Sequence, residues 1–178
     1  TNIKVIFSKM ILKPFELNKI DIKKNKMILL HGKNEGHKNE IISTLSEKNK
    51  SISNYEEKEI IENSTQFLED LFNKSLFDNK KIIIIKRATD KIIKIIEEID
   101  KKNIDETTII INSDTLEKRS KLRVFFEKSK KNICIPFFPD NNQTLIKISS
   151  AYLRAKNIQM SQININLIVS KCNGDREK

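Results

Sequence analysis

One short segment of the 178-residue chain has the residue types of a phosphate cradle: Gly32-Lys33-Asn34-Glu35-Gly36-His37-Lys38-Asn39. Glycine lets backbone N–H groups close on an anion, the N-terminus of a following helix adds its dipole, and a lysine completes the charge. The full motif separates two glycines by four residues and follows the second with Lys and then Ser or Thr. Here the glycines are closer, no Lys-Ser or Lys-Thr pair follows, and Glu35 stands where triphosphate oxygens would approach. A desolvated carboxylate there repels a triphosphate by on the order of several kcal/mol. Gly32, Lys33, Glu35 and Gly36 therefore read as a degenerate phosphate turn, vestigial in a nucleotide-binding frame, and no cofactor is expected.

A magnesium-holding acid belongs at the end of a neighbouring strand. The run Ile82 to Ile85 ends instead in Lys86-Arg87, and Ile109 to Ile111 ends in Asn112-Ser113-Asp114, where Asp114 reads as a turn or helix cap. His31 and His37 lie near no credible nucleophile. Cys134 and Cys172 share no CxxC spacing, which supports neither a zinc site nor a disulfide framework. Cys134, in Asn132-Ile133-Cys134-Ile135-Pro136, reads as a small buried strand residue of a protein from a reducing, cytoplasmic compartment. No catalytic residue and no metal site is expected.

Elements must position this turn, and short apolar runs alternating with amphipathic segments indicate βαβ units around a mostly parallel sheet. Met27 to Leu30 predicts the first buried strand, and Ile41, Ile42 and Leu45 share one face of the helix after the turn. Lys48 to Asn63 is polar, with Ile52, Tyr55, Ile60 and Ile61 as anchors; Thr65 is placed to cap a helix carrying Phe67, Leu68, Leu71 and Phe72. Ile82 to Ile85 predicts a central strand covered on both faces. Further helices are expected over 90–100 and 116–130, and further strands over 107–112 and 133–136. The fold class is thus α/β, a P-loop-type parallel sheet of four or five strands with helices on both sides. From Asn142 only helices remain, 144–156 and 161–172, expected to pair through Leu145, Ile148, Leu153, Ile163, Leu167 and Ile168. The division is a sheet domain over 1–140 and the start of a helical unit over 141–178.

The net charge of +10, from 34 Lys and Arg against 24 Asp and Glu, favours an acidic partner. Lysine supplies nearly all of it, alongside heavy Ile and Asn usage that an A/T-rich genome would produce. Arginine, the residue suited to phosphate and base recognition, occurs only at 87, 119, 123, 154 and 176, so charge alone does not indicate nucleic-acid binding. No apolar run spans a membrane and no signal-peptide layout is present, so no membrane partner is expected. Met10 stands as a candidate native start. One loop stands out: Ser75-Leu76-Phe77 puts two large apolar residues between a Phe-rich helix and the central strand, where they could anchor a partner protein.

The order of these features, from Gly32 and Glu35-Gly36 through Ser75-Leu76-Phe77 and Lys80 to Ile85, Ile111 to Asp114, Leu116 to Arg123 and Asn173-Gly174-Asp175-Arg176, resembles the δ subunits of the bacterial DNA polymerase III clamp loader. That resemblance implies an AAA+-like domain with no working nucleotide site, the start of a helical lid, and a collar domain that would follow Lys178. It implies a non-catalytic part of the polymerase III holoenzyme that grips the β sliding clamp through Leu76 and Phe77, with Ser75 beside them, and promotes ring opening. The other loader subunits would be met through the collar, and DNA only through the assembled loader.

Overall fold

The computed structural model describes residues 11, 12, 16, 20, 21, 24–46, 51–73, 81–102, 104 and 107–177. Consecutive isoleucines fit only a strand covered on both faces. Ile82 to Ile85 accordingly fill the middle of β3 (Lys81–Lys86), none more than 5% exposed. The same logic buries all six residues of β1 (Met27–Gly32) and most of β4 (Thr107–Ser113) and β5 (Ile133–Phe137). With β2 (Ser51–Glu56) they form a five-stranded sheet of order β2-β3-β4-β1-β5, parallel throughout.

Alternation along each strand builds two cores. Leu29, Ile83, Ile85, Ile109, Ile111 and Cys134 face one way, against α2 (Glu57–Glu62), α3 (Ser64–Phe72), α4 (Ile93–Lys101) and α5 (Lys121–Lys128). Ile28, Leu30, Ile82, Ile84, Ile110, Ile133 and Ile135 face the other way, against α1 (Glu35–Ser46) through Ile41, with Ile42 and Leu45 half-buried. A third, smaller cluster joins α6 (Asn142–Ala155) to α7 (Gln162–Cys172) through Leu145, Ile165, Val169 and Cys172. No helix among the described residues is long and apolar enough to cross a membrane.

Several expectations need correction. The polar stretch after Lys48 contains a strand, β2, because an edge position needs apolar contact on only part of its surface; Ile52 stays 44% exposed. Thr65 is not a cap: α3 starts at Ser64 after Asn63, and no side chain caps it. The helix expected from Leu116 begins only at Lys121, since Ser120 is non-helical and its Oγ accepts from Arg123 N at 3.2 Å. The residues from Asp90 form a 3₁₀ turn before α4. In α7 the expected contact residues Ile163, Leu167 and Ile168 lie outward at 80%, 60% and 45% exposure. That helix is apolar around most of its circumference, so spacing offered two stripes, and packing took Ile165, Val169 and Cys172.

Candidate functional site

The turn after β1 lies at the carboxyl end of the sheet, where open α/β folds place ligands. β1 closes on Gly32 at φ 132°, beside β5; a Cβ there would run into the Phe137 carbonyl. Lys33 follows, exposed, and then buried Asn34 caps α1: its Oδ1 accepts from His37 N at 3.1 Å. Its Nδ2 donates to Phe138 O at 3.3 Å and Asp140 Oδ2 at 2.8 Å.

One turn into α1, the Lys38 side chain is fully buried and directed inward. Its Nζ donates to Ser113 O at 2.6 Å and to Glu35 Oε1 at 2.5 Å, and Glu35 Oε2 accepts from Asn112 Nδ2 at 3.3 Å. Counted from Gly32, Lys38 has the spacing of the phosphate lysine in GxxxxGK, with His37 in place of the second glycine and Asn39 in place of Ser or Thr. The ammonium that would meet a phosphate is thus bound by a carboxylate three residues away and by the end of β4. Glu35, read in sequence as a group that repels triphosphate, has this second role.

The head of α1 is met from the far end of the chain. Asn173 and Gly174 turn at φ 49° and 80°, and Asp175 Oδ1 then accepts from Gly36 N at 3.0 Å and from Glu177 N at 3.1 Å. Arg176 donates through Nε and Nη2 to Asp140 at 2.6 and 3.2 Å and through Nη1 to Glu40 Oε2 at 2.6 Å. Asn39 Nδ2 donates to Glu177 Oε2 at 2.9 Å. Burial alone would raise the Asp140 carboxyl, but the hydrogen bonds from Arg176 and Asn34 and the Arg176 charge outweigh it and hold it below the usual range. The Gly36 backbone leaves no room for a side chain, since a Cβ would meet the Arg176–Glu177 backbone.

The ends of β3 and β4 carry no acid aimed at this point. β3 runs into exposed Lys86 and Arg87, the latter at φ 54° with Nη2 2.8 Å from Glu56 Oε2. Ser113 Oγ donates to Ala88 O at 2.7 Å, and exposed Asp114 accepts through Oδ1 from Thr115 N at 2.7 Å, a turn contact. On the opposite face of the sheet, buried His31 is held neutral, its pKa lowered to about 4 first by burial and then by the Arg123 charge. The buried Cys134 thiol is pushed up to about 12, first by burial and then by Glu127, which makes it unreactive. Among the described residues, no three His, Cys, Asp or Glu side chains gather as metal ligands would.

Of the sequence-assigned residues, Gly32, Lys33, Glu35 and Gly36 lie together in this turn, while Ser75, Leu76 and Phe77 lie outside the described residues. Sequence reasoning named Asn34, Lys38, Asp175 and Arg176 without giving them a closing role, and it missed Asp140. The Gly32-to-Lys38 count could have found Lys38; nothing in spacing ties 175 to 36.

No family model and no curated protein matches this sequence. Among solved structures, the chain is similar to the Bacillus subtilis DNA clamp loader delta protein, with TM-score 0.58 and 14% identity over 88% of this chain and 51% of that one. It is also similar to domain III of the Thermotoga maritima replication initiation protein DnaA, with TM-score 0.50 and 9% identity over 92% of this chain and 75% of that one. The chain spans about half the length of the clamp loader protein. At these identities the likeness is one of architecture alone, a five-stranded parallel α/β sheet flanked by helices.

Proposed function

We propose that the chain is a non-catalytic clamp-loader subunit that binds the β sliding clamp and helps open the ring for loading onto primed DNA. One observation carries the non-catalytic part. The nucleotide frame is kept, but its lysine, Lys38, is bound by Glu35 and Ser113, and its helix head by Asp175. A nucleotide would have to displace three groups of the chain itself, and the end of β3 would offer its magnesium Lys86 and Arg87. The resemblance in motif order and the shared fold with a clamp loader delta protein support the partner. In this reading residues 1–140 grip the clamp, 141–178 begin the lid, and Leu76 and Phe77, between α3 and β3 in sequence, enter an apolar pocket on the ring, with Ser75 shaping the approach. A Leu-Phe pair seated in a pocket is a typical energetic centre of an interface.

Calorimetric titration into the cognate clamp tests the proposal. Wild type is expected to bind, and Leu76→Ala/Phe77→Ala to lose about 100-fold or more in affinity. Equal affinity of the two proteins removes the pair from the mechanism. Micromolar binding of magnesium-ATP in a parallel titration would favour a divergent NTPase or nucleotide kinase instead.

A further inference from the structure

The head of α1 has the ingredients of an anion seat: a helix of 12 residues, a glycine N–H at Gly36, and a turn leading out of β1. An anion is already in it. The Asp175 carboxylate accepts from the Gly36 N–H at 3.0 Å, where a ligand phosphate would accept, and the same oxygen takes the Glu177 N–H at 3.1 Å. The turn that delivers it is fastened on three further sides: Asp140 N donates to Gly174 O at 2.8 Å, Arg176 bridges Asp140 and Glu40, and Glu177 holds Asn39. Such fastening fixes a carboxylate in place at little further entropic cost, so it outcompetes an anion from solution. The nearby cations Lys38 and Arg176 are each already paired with carboxylates, Lys38 with Glu35 and Arg176 with Glu40 and Asp140.

We infer that Asp175 is a built-in anion for α1, a ligand supplied by the chain itself that takes the place of a nucleotide phosphate and latches the end of α7 to the sheet domain. The latch couples the turn after β1 to the helical pair after residue 140. It does not depend on which protein the chain binds.

Thermal melts of wild type, Asp175→Ala and Asp175→Asn, each in sodium chloride and in sodium acetate of equal ionic strength, test the inference. Acetate is the missing group in free form. In chloride, Asp175→Ala is expected to melt about 4 °C below wild type, a loss comparable to that of a helix cap. Acetate should restore a good part of that loss in Asp175→Ala and leave wild type unmoved. Asp175→Asn keeps the acceptor oxygen and fills the seat, so it should lose about 2 °C and gain nothing from acetate. An equal acetate response in all three proteins, a loss in Asp175→Ala without recovery, or no loss at all each overturns the inference. Should Asp175→Ala fail to fold, Asp175→Asn decides alone: a melt equal to wild type would mean the negative charge is not needed.

Discussion

At the head of α1 the polar groups of Asn34, Lys38, Asp140, Asp175 and Arg176 are met by other parts of the chain, several more than 100 residues away in sequence. On the outer face of α7, by contrast, Ile163, Leu167 and Ile168 stand 80%, 60% and 45% exposed, and Tyr152 of α6 is 60% exposed. A new partner for these polar groups has to displace one already supplied by the chain; on the second region it does not. Buried polar groups in a low-dielectric turn cannot be left unpaired, because each orphan costs about 1–3 kcal/mol, whereas an exposed isoleucine forgoes only the gain from burial. The difference lies in what each region has left to offer: paired polar groups at the head of α1, and uncovered apolar side chains on α7.

The strongest way to break this contrast is at Lys38. Lys38→Ala removes a fully buried stem and leaves Ser113 O without its charged donor, while Glu35, with its side chain 43% exposed, can turn partly to water. We expect a stability loss of about 3 kcal/mol, read as a lower urea midpoint at unchanged slope. A gain in stability would show instead that Lys38 is held under strain for an external ligand.

A second test concerns His31, the last buried side chain before Gly32. Its pKa is lowered to about 4 in the fold, so between about pH 6.5 and pH 4 the unfolded chain takes up a proton that the native state refuses. Stability contributed by neutral His31 is therefore complete above that window and falls with pH across it, by about 2 kcal/mol on going from pH 7.5 to pH 5. Urea titrations at both pH values, with His31→Leu beside wild type, check this; the variant should show a drop smaller by that amount.

The smallest expected effect sharpens the other side of the contrast. Leu167→Lys on α7 should change the urea-derived stability by no more than about 0.5 kcal/mol, because the side chain buries little. A loss above about 1 kcal/mol would show that this face is packed in solution.

Much of the frame was legible because its signals are local. Four adjacent isoleucines in β3 and the apolar runs of β1, β4 and β5 announce buried parallel strands in any context. β2 escaped because an edge strand needs no apolar run, and α5 was drawn too long because its start is set by Ser120 and by Asp90, which accepts from the backbone N–H groups of Lys121 and Leu122 at 3.0 Å each. The inward stripe of α7 was misread because apolar residues occupy both candidate stripes and only the position of α6 distinguishes them.

By itself the sequence determined the parallel α/β frame, the place of the phosphate turn after β1, and the absence there of a complete GxxxxGK[ST] signature. These follow from residue type and short-range spacing, which fix side-chain direction along a strand or helix. Only the tertiary structure decided that the turn is filled rather than vacant. Bringing Asp175 onto Gly36 and Ser113 onto Lys38 requires the pairing of β1 with β4 and the return of the chain after α7. A hydrogen bond between residues 139 positions apart leaves no periodicity to read.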